Sequence, residues 1–425
     1  MSPDDERRMP YSVELAAPNG SEVNRMNTGD NEPHLGAPPQ GRRPAVAGEM
    51  EGKRILDEFL ALVHVDSPPR KEGRIMRILA SQLQAIGFKV VFDNAHAAVG
   101  GEVGNLIATL RASRPGVPSL FLSAHVDTVT STAGIQTIVE DGVVRTDGTT
   151  ILGADDKAAV VAILEAVRHI VAFEIPHGEI QVLFSICEEI GLKGAAAMDF
   201  SQVTAKMGFV FDSGQPVSGI VVHSPSHDRI HAVVHGRKAH AGAAPENGIS
   251  AIQAAAAGIA KMKLGRIDSE TTANVGVISG GEATNIIPDK VNIQAEARSR
   301  SEGKLQAQVA HMIECIQQGA AEYGAEADVD VARHYSSFKL SEADAVVRVA
   351  SEAMAATGRQ PCLLAGGGGS DANIFNAYGL PSVVLGVGYQ IIHSNDECIA
   401  VADLVAAYRT AVALIERAAE GAERI

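Results

Sequence analysis

From Met50 onward, apolar residues recur with a helical period at Ile55, Phe59, Leu60 and Val63. A second such pattern, Ile75, Ile78, Leu79, Leu83 and Ile86, stops at Gly87 and leads into a strand over 89–92. Short apolar runs then alternate with longer helical stretches. Strands are predicted at 120–124, 180–187, 207–211 and 382–385. A helix is predicted at 156–171, with Val160, Val161, Leu164, Val167 and Val171 on its inner side. Parallel strands need crossover connections, usually helical, so this alternation predicts an α/β domain with a mostly parallel sheet.

The pattern changes after about residue 225. Strands at 229–234, 274–278, 291–297 and 328–333, with helices at 249–262 and 305–323, give the order βαββαβ of a ferredoxin-like α+β unit. The α/β texture resumes after about 338, so this unit reads as an insertion. The expected organisation is a disordered N-terminal tail over 1–49, a first catalytic part over 50–225, an inserted domain over 226–337 and a second catalytic part over 338–425. The tail is expected to be disordered because it is rich in Pro, Gly, Asn and charge and lacks any period. Met50, which opens the first amphipathic helix, is a candidate start.

Composition narrows the partners. Hydrophobic residues make up 46% of the chain and there is no Trp, so small aliphatic side chains must pack a large core. A formal net charge of -15 repels nucleic acid and anionic membranes, and neither is expected as a partner. The four cysteines, Cys187, Cys315, Cys362 and Cys398, show no paired spacing. Reduced thiols, no signal peptide and no apolar run of membrane-spanning length together predict a cytoplasmic protein.

Candidate chemistry follows from what sits at the strand ends. The run 120–124 is followed by His125 and Asp127, 180–187 by Glu188 and Glu189, and 207–211 by Asp212. In open α/β sheets the carboxyl edge is where loops diverge and ligands bind. Asp155 and Asp156 begin the next helix, where a carboxylate can cap free N–H groups as readily as it can bind a cation. His393 lies in a loop after the last strand and by itself carries little. Taken together, histidines and carboxylates of this kind suit a pair of borderline cations such as zinc rather than calcium. Such a pair activates water without a Ser or Cys nucleophile, and a free Glu can serve as the base. The run 366–369 lacks the Lys of a phosphate loop, and no strand leads directly into it.

In order along the chain stand SAHVDTV, DGTTILGADDKAA, CEEIGLKGA, FDSG, GRKAHAG, GGGGSDANIF and HSNDE. Together they resemble the peptidase T-like branch of the co-catalytic metallopeptidases, which also include glutamate carboxypeptidases, aminoacylases and succinyl-diaminopimelate desuccinylase. The resemblance runs from about Met50 to the C-terminus. It implies a zinc-peptidase-like catalytic domain with an inserted lid and dimerisation domain. It also implies two divalent metal ions, zinc with cobalt or manganese as alternatives. His125 and Asp212 match the ligands of one metal, Glu189 and His393 those of the other, and Asp155 the bridge. Glu188 matches the general base, and Asp127 the carboxylate that orients His125. In the inserted unit, His240 matches a histidine that reaches a neighbouring active site to stabilise the oxyanion. Arg298 matches the arginine that holds a substrate carboxylate, with Arg300 close enough to compete for that role. Asn285 and the backbone at Gly368 are further substrate contacts.

The sequence departs from the family at two places. Ala159 stands where many relatives have Gly, and Asp212 stands where glutamate carboxypeptidases have Glu. The second shifts the expected substrate towards small peptides; the resemblance as a whole implies an aminopeptidase on short peptides and a homodimer through the lid. The alternatives are an N-acyl-amino-acid amidohydrolase or carboxypeptidase of the same family, and a metal- or peptide-binding protein without catalysis.

Overall fold

The computed structural model describes the backbone of residues 44–421 and the side chains from 50 to 421. The expected tail over 1–49 therefore falls largely outside the described residues. The first helix is Pro44–Val63 and so begins before Met50, where the apolar period becomes visible. The next, Gly73–Ala85, buries Ile75, Met76, Leu79, Ala80 and Leu83, an i, i+3, i+4 stripe that needs a core to cover it.

A nine-stranded sheet forms the centre. Its spatial order is Lys89–Phe92, Leu106–Leu110, Ile180–Ser185, Leu120–His125, Gly208–Phe211, Ser382–Leu385, Gly219–Ser224 and Phe338–Lys339, with Cys362–Ala365 also paired to Gly219–Ser224. Leu120–His125 runs parallel to both neighbours, and Ser382–Leu385 runs parallel to Gly208–Phe211. Lys89–Phe92, Leu106–Leu110 and Ile180–Ser185 pair antiparallel on one side, and Ser382–Leu385, Gly219–Ser224 and Phe338–Lys339 on the other, so the sheet is parallel through its middle and mixed on either side.

Both faces of this sheet are covered, which is why Leu120–His125 and Ile180–Ser185 are buried at every position. One face packs against Ala154–Ala172, Val401–Gly421, Ala345–Ala356 and the first two helices. The other packs Phe121, Leu183 and Val210 against Phe375, Ala195 and neighbouring residues. A short antiparallel sheet, Thr137–Glu140, Val143–Thr146 and Cys398–Ala400, stands beside it.

The ferredoxin-like unit is present with longer strands than the pattern suggests. Its sheet runs Gly265–Arg266, Thr271–Gly280, Lys290–Ser299, Ser226–His235 and Glu326–Tyr335, antiparallel throughout. Helices Ala251–Lys261 and Glu302–Glu322 cover one face through Ile230, Ala232, Val234, Ile293 and Met312, a core separate from that of the central sheet. No helix among the described residues is long and apolar enough to cross a membrane.

Candidate metal centre

Sheet register brings the strand ends level. His125 pairs with Ser185, Ser123 with Val210, and Leu385 with Phe211. Asp212 therefore emerges beside His125, and the turn carrying Glu188 and Glu189 starts at the same edge. The strand Ile180–Ser185 ends two residues earlier than expected, because Cys187 adopts a left-handed conformation (φ 53°) that turns Glu188 and Glu189 across the sheet edge.

Asp155 does not cap its helix. Asp155 and Asp156 have non-helical backbone angles, and the helix N-terminus has no side-chain cap. Instead the two oxygens of Asp155 face different histidines. Oδ1 lies 3.2 Å from His125 Nε2, and Oδ2 lies 3.5 Å from His393 Nε2. His393 Nε2 is also 3.2 Å from Glu189 Oε2, and His125 Nε2 is 4.0 Å from Asp212 Oδ1. His393 (φ 60°) and the β-branched Ile391 (φ 54°) hold left-handed backbone conformations that bend their loop over the site.

The tautomer of His125 can be read from its partners. Nδ1 is 2.9 Å from the backbone carbonyl of Asp127, an acceptor only, so Nδ1 carries a hydrogen; Nε2 donates to Asp155 when the ring is protonated and would offer its lone pair to a cation when it is not. The Asp127 carboxylate is farther from the ring, at 3.6 Å. Its two oxygens accept the backbone N–H groups of Glu188 (2.9 Å) and Glu189 (3.1 Å). Asp127 thus fixes both the imidazole and the following acidic turn, a wider role than orienting His125 alone.

Electrostatics show what this crowding costs. Burial, followed by the Asp212 carboxylate, pushes Glu188 well above the ordinary range, and burial does the same to Asp212 and Asp156. Asp155 is lowered despite its burial, because His125 and His393 donate to it. Hydrogen bonding to Asp155 and Glu189 raises His393 to about 10. Asp371 is raised to about 6 and Glu397 to about 7, both chiefly by burial.

The donor set fits divalent cations. Ligand atoms of His125, Asp155 and Glu189 lie within 4.8 Å of one another, as do those of His125, Asp156 and Asp212. Glu189 Oε1 and Asp156 Oδ1 are buried with no hydrogen-bond partner among the described residues, and such orphaned carboxylate oxygens call for a positive partner. Imidazole nitrogen with carboxylate oxygen is the ligand chemistry of zinc and its neighbours.

A cavity of about 380 Å³ opens over this centre, lined by His125, Asp155, Glu188, Glu189, Asp212, Tyr389, His393, Arg298 and the backbone of 366–369. Gly368 is among these, and its carbonyl accepts the Ser224 hydroxyl. Arg298 reaches the cavity with Nε and Nη2 on Glu296, whereas Arg300 is spent on the carbonyls of Gly366 and Ser269. His240 and Asn285 do not line it. They neighbour each other where Ala239–His240 pairs with Ile286–Ile287. His240 Nδ1 accepts from the N–H groups of Gly242 and Ala243, which leaves Nε2–H pointing outward as a donor.

Three further residues take part without a role assigned from the sequence. Asp156 Oδ2 accepts the His125 backbone N–H, Tyr389 donates to Asp212 Oδ1 at 3.4 Å, and buried Asp371 accepts from Ser185. The doubled Asp of GADD was a signal for Asp156. Nothing in the local pattern marked Tyr389.

Comparison with known proteins agrees with this geometry. The sequence profile of peptidase family M20/M25/M40 matches residues 121–417. The protein YqjE of Bacillus subtilis (strain 168) is 43% identical over 368 residues, which span 87% of this chain and 99% of that protein. The crystal structure of aminopeptidase PepT from Bacillus cereus ATCC 10987 is 46% identical, with TM-score 0.78, covering 87% of this chain and 99% of its own. A tripeptidase from Staphylococcus aureus subsp. aureus Mu50 is 39% identical, with TM-score 0.82 and the same coverage. The chain belongs to peptidase family M20/M25/M40, as a peptidase T-like metallopeptidase.

Proposed function

We propose that this protein is a two-metal aminopeptidase that removes the N-terminal residue of short peptides, with Glu188 as general base. The observation that carries the reading is the divided Asp155 carboxylate, one oxygen on His125 and the other on His393. His125 and Asp212 would hold one ion, Glu189 and His393 the other, and Asp155 both. Zinc is the proposed metal, with cobalt and manganese as alternatives. Two divalent cations bound there would polarise the scissile carbonyl and make an attacking water more acidic.

The chain's own groups supply the remaining chemistry. The Glu188 carboxylate lines the cavity without being needed as a ligand, so it is free to take a proton from water and return it to the leaving amine. Asp127 holds the backbone of Glu188 and Glu189 at the sheet edge. Arg298, pinned by Glu296, offers its remaining N–H edge to the C-terminal carboxylate of a short peptide, and the glycine backbone at 366–369 forms the floor opposite. Asn285 is proposed as a substrate contact from the loop beside His240.

Residues 226–337 are proposed to act as the lid between catalytic parts 50–225 and 338–425, and to pair two copies into a homodimer. Beyond Ala273 the strand Thr271–Gly280 has no outer partner among the described residues, and it exposes Val277 and Ile278. A partner docked there would bring the outward Nε2–H of His240 to a neighbouring site as an oxyanion donor. A cytoplasmic location accords with the unpaired cysteines.

Zinc-loaded protein assayed on free tripeptides and on N-acetyl amino acids, with metal analysis of the same sample, tests the reading. Turnover of free tripeptides is expected. Activity confined to the acylated compounds would refute it.

A further inference from the structure

Glu397 is a buried carboxylate, 1% exposed, that none of the chemistry above uses. It lies four residues after His393, in the loop between Ser382–Leu385 and Cys398–Ala400. Its Oε2 accepts the Gly153 N–H at 2.7 Å, and its Oε1 accepts the Asp155 N–H at 2.9 Å. One side chain therefore grips the backbone on both sides of Ala154, across 242 residues of sequence in the case of Asp155. A further tie joins the same two loops, where Asn395 Nδ2 donates to the Gly148 carbonyl at 2.9 Å.

The consequence concerns two ligand candidates at once. The side chain of Asp155 departs from the backbone that Glu397 holds, and His393 belongs to the loop from which Glu397 reaches. Gly153 is left-handed (φ 73°), so the turn before Asp155 follows no regular structure that would hold it unaided. A carboxylate that accepts two backbone N–H groups is a strong and directional clamp.

We infer that Glu397 is a positioning residue that sets the spacing between Asp155 and His393, and so the affinity of the second cation site. This rests on reading Asp155 and His393 as ligands. Glu397→Gln keeps the volume but offers one acceptor oxygen, and turns its amide N–H groups against the other backbone N–H. By comparison with other groups that orient metal ligands, the variant should bind its weaker zinc about 10–100-fold less tightly.

The test is zinc titration against a competing chelator, followed by tripeptide kinetics, on wild type, Glu397→Gln and Ala350→Gly. The last lowers stability from the helix Ala345–Ala356, away from both loops, and controls for general loosening. Weaker zinc binding in Glu397→Gln alone, with kcat recovering in excess zinc and KM unchanged, supports the role. Equal affinity in a folded Glu397→Gln overturns it. So does an equal loss in Ala350→Gly. Should Glu397→Gln not fold, Glu397→Asp keeps the charge but draws the carboxylate back by one methylene from the Gly153 and Asp155 N–H groups; a several-fold weaker affinity then supports the inference, and unchanged affinity overturns it. Absence of zinc binding by the wild type overturns the ligand reading itself, and the inference with it.

Discussion

Replacing Asp127 by Asn tests how much of the site depends on one buried carboxylate. Asp127 is fully buried, and its oxygens accept the N–H groups of Glu188 and Glu189. Asparagine has the same shape but one acceptor. It keeps one of those bonds, and its amide N–H meets the other N–H head on. A hydrogen bond to a charged group contributes about 1.5–3 kcal/mol, so folding stability should fall by about 2 kcal/mol or somewhat more once the unpaired N–H is counted. Loosening also reaches the chemistry, because the base and a ligand share this turn. For outer groups that hold ligands, kcat should fall about 10–100-fold, or about 1.4–2.7 kcal/mol of barrier. Thermal unfolding of the zinc-loaded protein and steady-state kinetics on a tripeptide measure both. A variant with unchanged melting midpoint and kcat would refute the argument that Asp127 fixes the acidic turn.

Glu188→Gln should lower kcat by about 10²–10⁴ while zinc stoichiometry is retained; turnover at the wild-type rate would remove Glu188 from the role of base. Chelation should lower the melting midpoint, since burial holds Glu188, Asp212 and Asp156 well above the ordinary range, with neighbouring carboxylates adding to it, and bound cations would offset that cost; an unchanged midpoint after verified metal removal contradicts this coupling. His334 is held at about 4 by burial and by nearby Arg229 and His227, below its ordinary value of 6.5. Between pH 6.5 and 4 the unfolded chain takes a proton that the folded chain refuses, so this group's share of stability falls as pH drops through that window. His334→Gln should flatten the dependence of melting on pH there, and superimposable profiles would refute it. Gly208→Ala should destabilise by about 1–3 kcal/mol through overpacking, because a Cβ there would lie 2.0 Å from the Phe121 ring; a wild-type melting midpoint would show that the ring can yield.

The sequence made parts of the site legible for a definite reason. His125 ends a strand buried on both faces, Glu188 and Asp212 follow two others, and an unbroken apolar run leading to a ligand-type residue is visible one strand at a time. The ferredoxin-like unit was legible because its strands alternate and its helices keep their period. His393 stood out only through resemblance, since its loop has no pattern of its own. The partners of Asp127 were hidden because its carboxylate bonds to backbone, which leaves no mark in side-chain spacing. Glu397 escaped for the same reason. The short strands Thr137–Glu140 and Val143–Thr146 are half exposed and too brief to show a period. Distances along the chain also concealed that His240 and Asn285 stand apart from the cavity that Arg298 lines.

The strand Ser382–Leu385 enters the sheet between Gly208–Phe211 and Gly219–Ser224, which are made some 160 residues earlier. During synthesis those two earlier strands must wait with a gap between them, their facing N–H and C=O groups unpaired until the C-terminal segment leaves the ribosome. The ferredoxin-like unit, with its own core, can fold during that interval. The central sheet cannot close, and the acidic turn at its edge has no His393 to meet. Assembly of the site is thus one of the last events in making the molecule, and a chain stopped after the inserted unit would carry an open sheet edge prone to pairing with other chains.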